Sequence, residues 1–373
     1  MKKVLYAAST AGHLRSFHLP WLDALKEQGW TVHCAAAGEF SWPSVDAYFD
    51  LPFTKSMFSP KNLAVTRQLA KLLRRERYDL VCIHTSLAAF FLRLAVALAG
   101  KGETRVVNVV HGYLFDDDTP FVKRTLLLGA EKLTARLTDT VAVMNRQDWA
   151  LANRQRLSRG GVVMLPGIGL DVSRFTPADE GQRRAARARF GLPENAFVLA
   201  YAAEFSARKH QETLIRAMTR LPEDVFLLLP GRGDEWENIR ALAAQLGVAE
   251  RVILPGFLTD VEASCHAADL AVSSSRSEGL PFHLMECMSC GLPGVVTRVK
   301  GNEDLIDDDT GRTFPFDDDA ALARAVLQLR ADEALRRRMG ENARRRVLER
   351  YTLAQVAPVY TALMEPEREV VSV

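Results

Sequence analysis

The feature that most constrains the fold is the near-regular alternation of short apolar, β-branched runs with longer amphipathic stretches. Alternating strands and helices form βαβ units with right-handed crossovers, whose parallel sheets are covered on both faces. Twelve predicted strands are too many for one such sheet, and they indicate an α/β chain of two Rossmann-like, doubly wound domains facing across a cleft. The predicted strands are Val4–Ser9, Thr31–Ala36, Asp79–His84, Val106–His111, Thr140–Met144, Val162–Leu165, Phe197–Ala203, Val225–Leu229, Arg251–Leu254, Leu270–Ser274, Val295–Thr297 and Thr313–Phe316.

The division between the domains is predicted at Asp171–Pro193, an Arg-rich stretch with Pro and Gly. We therefore expect a first domain at residues 1–175 and a second at residues 176–351. A C-terminal helix, from about residue 352 to 373, is expected to join the first domain. Amphipathic helices are predicted between strands at Leu63–Arg75, Phe121–Leu137, Gln211–Arg220, Glu235–Leu246 and Ala320–Leu329.

Composition excludes several classes of protein. A chain with 48% hydrophobic and 25% charged residues is not disordered as a whole. The net charge of +2 argues against a strongly basic nucleic-acid-binding protein, so no nucleic acid is expected as a partner. Five scattered cysteines make no disulfide framework and indicate a reducing compartment. The longest apolar stretch, Leu87–Gly100, carries Arg93 and is too short to span a bilayer, so the protein is expected to be cytoplasmic.

Charge is distributed unevenly along the chain. Residues 1–180 hold 23 basic against 17 acidic residues, and the remainder holds 25 against 29. Basic residues on or just after one predicted helix, Lys71, Arg74, Arg75 and Arg77, suit peripheral contact with the anionic lipid of the inner membrane leaflet. An uneven but simply solvated surface explains the same charges equally well.

The most informative segment is Ser273–Pro293, where an apolar strand leads through a serine-rich loop into a short helix. Pro281 suits the first helical position, and the positive end of such a helix is a natural seat for a phosphate. Glu278 precedes this helix and Glu286 lies within it. Carboxylates beside a phosphate seat are expected to reach past it to neutral hydroxyls, such as the vicinal diols of a nucleotide sugar. Taken alone, two glutamates eight residues apart also fit an ordinary helix surface.

In this frame the segment resembles the E-x7-E signature of the family 4 glycosyltransferases, which have the two-domain GT-B fold. The resemblance implies that Glu278 contacts the sugar of a nucleotide-sugar donor and that Glu286 contacts the nucleotide ribose. It also implies that Gly279, Leu280 and Phe282, with Pro281 between them, form a loop that touches this donor.

Upstream segments extend the resemblance. Lys209 matches the lysine that holds the diphosphate in this family, and its charge would stabilise the leaving group. Many members carry arginine where this chain has Glu204, so Arg208 is the candidate replacement. The stretch Gly256, Phe257 and Leu258 falls near the nucleobase in the matching frame, although it fits a plain turn equally well.

The first domain offers candidates at the ends of two predicted strands. Gly12, after the first strand, would permit close approach of a phosphate or sugar to the backbone. His111 resembles the family histidine at the end of the fourth predicted strand, beside the donor sugar, and a buried core histidine is the alternative. His13 and His18 are interpreted as histidines on a helix surface, and the alternative is that they face the cleft. The segments around Phe17–Pro20 and Val110–Tyr113 resemble members that build bacterial capsular polysaccharide, exopolysaccharide or O-antigen.

These observations predict a retaining, metal-independent transferase that moves a sugar from a nucleotide-diphosphate donor, UDP-linked, to a hydroxyl of a saccharide or lipid-linked saccharide. The catalytic residues are expected to be His111, Lys209 and Glu278, with no cofactor. The alternatives are a nucleotide-sugar epimerase of the same fold and a catalytically silent scaffold of a polysaccharide assembly complex. The C-x-x-C at Cys287 and Cys290 and the acidic run Asp116–Asp118 are interpreted as structural rather than metal-binding.

Overall fold

A computed structural model describes residues 2–54, 59–116 and 119–365 of the chain. The chain divides into two compact units, Met1–Ile168 with the segment from Ala357, and Gly169–Val356. Each unit contains one parallel sheet wound with helices, so the prediction of two Rossmann-like α/β domains is confirmed. The stretch Asp171–Pro193, where the division was predicted, lies inside the second unit and contains a helix.

The first unit is built on a sheet of seven parallel strands in the order β3-β2-β1-β4-β5-β6-β7. Nearly every residue of the central strands is buried, as expected for a parallel sheet covered on both faces. The strands are β1 Lys3–Thr10, β2 Thr31–Ala37, β3 Ala47–Asp50, β4 Leu80–His84, β5 Arg105–Val110, β6 Thr140–Val143 and β7 Val162–Met164.

The helices of the first unit alternate with these strands. Helix α4 contacts both α3 and α5, and its Arg93 is fully buried in an ion pair with Glu131 of α5 at 2.9 Å. The helices are α1 Ala11–Phe17, α2 Leu19–Glu27, α3 Pro60–Glu76, α4 Ser86–Ala99, α5 Phe121–Ala135 and α6 Arg146–Gln155. No helix in the described part of the chain is both long and apolar enough to cross a membrane.

The second unit has a six-stranded parallel sheet in the order β10-β9-β8-β11-β12-β13. Its strands are β8 Phe197–Ala200, β9 Val225–Leu228, β10 Val252–Ile253, β11 Leu270–Ser273, β12 Gly294–Thr297 and β13 Gly311–Phe314. Its helices are α7 Glu180–Arg189, α8 Glu212–Met218, α9 Trp236–Gln245, α10 Glu262–Ala267, α11 Phe282–Ser289, α12 Asn302–Leu305, α13 Asp319–Ala331 and α14 Glu333–Arg350.

The final helix, α15 (Leu353–Met364), spans the second boundary, and its later half completes the first unit. Tyr360 of this helix is buried, hydrogen-bonds to the hydroxyl of Tyr6 and stacks on Trp21 with ring centroids 4.2 Å apart. The C-terminal segment expected to join the first domain therefore does so through an aromatic contact in its core. Residues 366–373 of that expected helix lie outside the described residues.

Every predicted strand overlaps an observed one, but β3 was not predicted. This strand lies at the sheet edge and is only partly buried, so Ala47–Asp50 lacks the apolar run by which the other strands were recognised. In each sheet the chain changes winding direction between two adjacent strands, β1 and β4 in one and β8 and β11 in the other. Ligands of doubly wound folds bind at the carboxyl ends of strands at such a switch point.

Candidate active site

At the switch point of the second unit, two loops leave the same edge of the sheet. Strands β8 and β11 pair in parallel, with Ala271 opposite Ala200, so the loops that follow them begin side by side. The β8 loop carries Arg208 and Lys209, and the β11 loop carries Glu278. Residues far apart in the sequence are brought together by strand order alone.

Glu278 is the centre of this site. Its side chain is 7% exposed and receives an ion pair from Lys209, with Nζ 2.5 Å from Oε1. The Arg208 guanidinium contributes a second ion pair, with Nη1 3.2 Å from Oε2. The Ser275 hydroxyl donates to Oε1 at 2.5 Å. A buried carboxylate is tolerated only with such partners, so these contacts fix both cations at the sheet edge.

The protonation of Glu278 follows from these neighbours. Burial raises the pKa of this carboxyl, but the charges of Lys209 and Arg208 and the hydrogen bonds from Lys209 and Ser275 outweigh it, so the pKa is lowered overall. The Tyr201 hydroxyl lies 2.6 Å from the Ser275 hydroxyl and extends the network toward the end of β8. Glu278 is therefore an anion that holds two cations.

Gly301, which was not predicted as a site residue, packs against the β11 loop. Its φ is +80°, a region that favours glycine. A Cβ at this position would lie 2.7 Å from the carbonyl oxygen of Gly279 and 2.9 Å from Cβ of Glu278. The backbone at Gly301 thus packs directly against the loop that carries Glu278, which only a residue without a side chain allows.

Helix α11 follows this loop. Pro281 is its N-cap, with φ −74°, rather than its first residue as predicted, and helical geometry begins at Phe282. Gly291, at φ +81°, lies just beyond the helix end. His283 fixes the helix to β8, because its Nε2 donates to the carbonyl of Ala200 at 3.0 Å while Nδ1 accepts from the amide of Ala202 at 3.3 Å.

Glu286 lies on α11 and differs from Glu278 in its surroundings. Its carboxyl is partly buried, and no hydrogen bond to it is found among the described residues. Burial raises the pKa of Glu286 to about 7, against a smaller opposing effect of His283 and Arg174. The carboxyl is thus poised between its neutral and charged forms near neutral pH, and its oxygens remain open to an incoming hydroxyl.

The other residues predicted to contact a nucleotide sugar lie on loops of the second unit. Leu280 is buried, whereas Gly279 and Phe282 are partly exposed. Phe257 is 61% exposed, and the Arg232 guanidinium lies over its ring, 4.8 Å from the centroid. The Gly256 carbonyl accepts from the amide of Gly231 at 2.9 Å. Leu258 packs against the apolar core instead of standing free.

Glu204, where many family members carry arginine, is exposed at the start of the β8 loop. Its backbone carbonyl accepts from the Gln211 side chain at 2.9 Å. Arg208, the candidate replacement, is 45% exposed and also donates to the carbonyl of Ser277 at 3.1 Å. Its guanidinium has more donors than these contacts use, so it can bind a further anion.

The switch point of the first unit carries histidines. His111 follows β5 directly, and its Nε2 lies 3.0 Å from Nδ1 of His84, the last residue of β4. His13 packs edge-on against His111 with ring centroids 4.7 Å apart, and His18 lies 4.1 Å from His84. We call these four residues the histidine cluster.

The prediction that His18 lies on a helix surface is wrong, and His13, on α1, is partly buried. Thr10 caps α1 immediately after β1, and the helix ends within two turns, so the chain turns inward at His18. His18 is fully buried and its Nδ1 lies 2.8 Å from the Tyr6 hydroxyl. Gly12, by contrast, is exposed on α1. A Cβ there would meet no atom of the described residues within 4 Å, so no contact requires glycine at this position.

The histidine cluster is uncharged at neutral pH. Burial lowers the pKa of His13 to about 4. Burial, reinforced by neighbouring imidazoles, lowers the pKa values of His18, His84 and His111 well below their usual value. His111 is thus a neutral imidazole that can donate or accept one hydrogen bond, but it is not a source of positive charge.

The motifs interpreted as structural lie as follows. Cys287 and Cys290 are buried free thiols, and Cys287 Sγ lies 3.4 Å from Sγ of Cys265. Asp116 hydrogen-bonds to Thr119. Asp117 and Asp118, the rest of the acidic run, lie outside the described residues.

Each unit of the chain contains a region that matches a known protein family. The family model described as glycosyl transferases group 1 matches residues 182–346, and the glycosyl transferase 4-like domain matches residues 19–167. The chain is 33% identical to EpsD of Bacillus subtilis strain 168, which is assigned to the glycosyltransferases, over 100% of both chains. Each half of the chain therefore matches a glycosyltransferase family model.

Two further proteins are similar over most of the chain. The UDP-Gal:alpha-D-GlcNAc-diphosphoundecaprenol alpha-1,3-galactosyltransferase of Escherichia coli is 24% identical, covering 84% of this chain and 81% of its own. The Anabaena protein HepE, in complex with UDP-glucose, superposes with a TM-score of 0.79 at 19% identity, covering 97% of this chain and 100% of its own. With its two doubly wound units and the carboxylate pair on the second, the chain belongs to the family 4 glycosyltransferases, which have the GT-B fold.

Proposed function

We propose that the protein transfers a sugar from a UDP-linked donor to a hydroxyl of a lipid-linked saccharide, with retention of the anomeric configuration and without a metal ion. The proposed pathway is the synthesis of bacterial surface polysaccharide, of the exopolysaccharide type. The observation that carries this proposal is the cluster of Lys209, Arg208 and Glu278 at the switch point of the second unit.

This cluster suits a diphosphate because it holds two cations in place before a ligand binds. Glu278 neutralises part of their charge and orients both heads, while Arg208 keeps unused donors that face solvent. Donors that are positioned in advance need no reorganisation as charge develops on a leaving group. A metal ion, which serves this purpose in other phosphate sites, is not required in this proposal.

In the proposed reaction, the bond between the anomeric carbon and the diphosphate oxygen breaks while the acceptor oxygen bonds to the same face of that carbon. The acceptor hydroxyl proton passes to the leaving diphosphate, so the products are UDP and the glycosylated acceptor. Lys209 and Arg208 stabilise the diphosphate. Glu278 is assigned to a sugar hydroxyl, Glu286 to the ribose diol, and neutral His111 to the sugar near the reacting carbon.

The choice of UDP and of a lipid-linked acceptor is supported by the relatives. The Escherichia coli protein is named for UDP-Gal and for a diphosphoundecaprenol-linked sugar, and HepE was solved with UDP-glucose. Gly279, Leu280 and Phe282 are assigned to the sugar side of the site. Gly256, Phe257 and Leu258 are assigned to the base, and Gly12 to the sugar or phosphate. Of the last four, exposed Phe257 is the best placed to stack on a uracil ring.

The test is a transfer assay with radiolabelled UDP-sugars, with and without an undecaprenyl-diphosphate-linked saccharide, in the presence of a chelator. We expect acceptor-dependent release of UDP and a labelled lipid product with the α-linkage of its donor. Epimerised nucleotide sugar without acceptor would instead identify an epimerase. Binding of UDP-sugars that is absent, or unchanged in Glu286→Ala and Lys209→Ala, would identify a scaffold and overturn the proposal.

A lipid-linked acceptor requires that the enzyme reach a membrane surface. Helix α5 has an exposed apolar face that could contact such a surface. Its inner face is held by buried Glu131 and Thr134. Its outer face exposes large apolar side chains, with Phe121 81% and Val122 72% exposed. Aromatic and aliphatic residues with flanking basic residues are typical of helices that lie in a lipid interface. The outer face comprises Phe121, Val122, Lys123, Leu126, Lys132, Leu133 and Arg136.

We propose that this outer face of α5 rests on anionic lipid. The basic residues predicted for this role, Lys71, Arg74, Arg75 and Arg77, are exposed on or just after α3 of the same unit, and Arg75 is paired with Glu76 at 2.7 Å. Co-sedimentation with phosphatidylglycerol vesicles tests the proposal. Phe121→Glu is expected to reduce vesicle binding about tenfold, since it replaces apolar area that lipid would bury by a charge. Leu246→Glu on the second unit is the control and should bind like the wild type. Equal binding of both variants would contradict it.

A further inference from the structure

The histidine cluster has a feature that transfer of a sugar does not use. Nε2 of His13 and Nε2 of His18 are buried, and neither has a hydrogen-bond partner in the described part of the chain. Buried polar atoms are almost always paired, so two unpaired imidazole nitrogens at one place call for a ligand. Unpaired nitrogen carries a lone pair or a proton, and a lone pair is what a metal ion binds.

A third imidazole completes the arrangement. One ring nitrogen each of His13, His18 and His111 lies within 4.8 Å of the other two. We propose that these three histidines form a binding site for a divalent transition-metal ion of the Zn²⁺ class. The site is separate from the cations Arg208 and Lys209 and does not depend on the proposed transfer reaction.

The geometry fits three imidazole ligands on one ion. Zinc–nitrogen bonds of about 2.0–2.1 Å place the nitrogens of a tetrahedral site roughly 3.4 Å apart. A separation of at most 4.8 Å therefore closes by about 1.4 Å or less, which small rotations of the rings supply. Three protein ligands leave a fourth position open for water or an anion, as in zinc sites with three histidines.

Hydrogen bonds from neighbouring residues hold two of the three imidazoles in place. Nδ1 of His18 lies 2.8 Å from the Tyr6 hydroxyl, which fixes the ring and leaves Nε2 toward the cluster. His84 lies 3.0 Å from His111 and fixes that ring in the same way. Hydrogen bonds of this kind orient metal-binding histidines and set which nitrogen carries the proton.

The chemistry of the ligands defines the ion. Neutral imidazole suits Zn²⁺, Cu²⁺, Ni²⁺ and Co²⁺, whereas Mg²⁺ and Ca²⁺ require oxygen ligands. No carboxylate belongs to this group of ligands among the described residues. An ion here would carry its full positive charge, so we expect it to bind together with an anion or hydroxide at the open position.

The test uses the full chain, without an added histidine tag, titrated with Co²⁺ while visible absorption is recorded. We expect one equivalent to give the d–d bands of a tetrahedral site with nitrogen ligands. His13→Gln should weaken binding at least about tenfold, since it removes one of three ligands. His266→Gln, in the second unit, is the matched control and should bind like the wild type. Equal affinity of the two variants would overturn the proposal.

Two further measurements keep the outcome clear. Electron paramagnetic resonance of the Cu²⁺-loaded wild type counts coordinated nitrogens without any substitution, and three imidazoles are expected. A sulfur-to-cobalt charge-transfer band would show that a cysteine binds the ion and would refute a site of three histidines; the buried cysteines are Cys34, Cys82, Cys265, Cys287 and Cys290. Thermal unfolding of His13→Gln without metal establishes that the variant folds.

One consequence rests on the proposed function. An ion bound to His111 occupies the lone pair assigned to the sugar, so Zn²⁺ should inhibit transfer and a chelator should reverse the inhibition. Metal binding without inhibition would refute the role of His111 in transfer while the metal site itself stands on the spectra. Absence of the spectra would refute the metal site whatever the transfer assay shows.

Discussion

In the first unit, strands β1, β4 and β5 lead into imidazoles, whereas in the second unit β8 and β11 lead into loops that carry fixed charges. Both sets lie at the carboxyl edge of a parallel sheet, at its switch point. The histidine cluster is neutral because burial suppresses its protonation. Glu278 is equally buried but stays charged because two cations surround it. One topology thus places a neutral group of imidazoles in the first unit and a group of charged side chains in the second.

The strongest way to break this comparison is Lys209→Met, which keeps the length of the side chain but removes its charge. We expect kcat to fall about 10³-fold, because the leaving diphosphate loses a positioned cation. The measurement is the rate of UDP release at saturating UDP-sugar. Lys26→Met, which removes an exposed cation paired with Asp46, is the control and should keep the wild-type rate. A loss below about tenfold would show that the second unit does not work through charge.

In the first unit, the comparison predicts a smaller effect for His111→Leu. A neutral imidazole contributes a hydrogen bond rather than a full charge, so we expect kcat/KM to fall about 10²-fold. His111→Asn should recover part of this, since Nε2 faces His84 and the shorter asparagine amide reaches the position of Nδ1, the nitrogen left for the sugar. The assay is run with a chelator present. Equal rates for His111→Leu and the control His266→Leu would contradict the assignment.

The support of the charged loop is tested by Gly301→Ala against Gly29→Ala. Both glycines have φ of +80°, a region that favours glycine, so both variants bear backbone strain. A Cβ at Gly301 meets the loop of Glu278, whereas a Cβ at Gly29 meets nothing within 4 Å. We expect kcat/KM to fall about tenfold for Gly301→Ala alone, while thermal unfolding shows destabilisation of both. A matching loss in Gly29→Ala would remove the role of the loop.

The carboxyls of Glu278 and Glu286 are expected to differ in their response to pH, and Glu286 is the one that titrates near neutral pH. Because its pKa is about 7, UDP-sugar affinity should weaken by about fivefold as pH falls through this value, since protonation removes a hydrogen-bond acceptor. Stability should change in the opposite direction. A carboxyl whose pKa is raised from 4.5 to about 7 on folding stabilises fully below about 4.5 and loses this contribution as pH rises to about 7.

Glu286→Gln should abolish both dependences, as measured by calorimetric titration with UDP-sugar and by denaturant unfolding across this pH range. Glu250→Gln, which changes an exposed glutamate of the same unit to which no nucleotide-sugar contact is assigned, is the control and should keep both dependences. A wild-type affinity that does not vary with pH would mean that Glu286 does not contact the nucleotide sugar.

The sequence predicted the elements of the second site better than their contacts. Lys209 and Glu278 were both assigned to the nucleotide sugar, but nothing local shows that they bind each other, because only the pairing of β8 with β11 brings them together. The strand ends were recognisable because buried parallel strands are continuous apolar runs. Gly301 was missed for the same reason as this ion pair, since its contact with the β11 loop is made through tertiary structure.

The histidine cluster shows where local patterns mislead. His13 and His18 follow a strand in a stretch with helical character, which suggested a solvated helix. The burial of His18 depends on the early end of α1 and on Tyr6, whose hydroxyl also bonds to Tyr360 at the far end of the chain. Contacts across more than three hundred residues leave no signal in hydrophobic periodicity. Edge strand β3 was not predicted because it is too exposed to show an apolar run.

The position of Tyr360 also bears on synthesis of the chain. Its ring occupies the core beside Tyr6 and Trp21, yet the ribosome makes it only after all of Gly169–Val356. The second unit can therefore fold while the first unit still lacks Tyr360 in its core. Until α15 has been made, the apolar surface that Tyr360 covers in the first unit stays open to association with other chains.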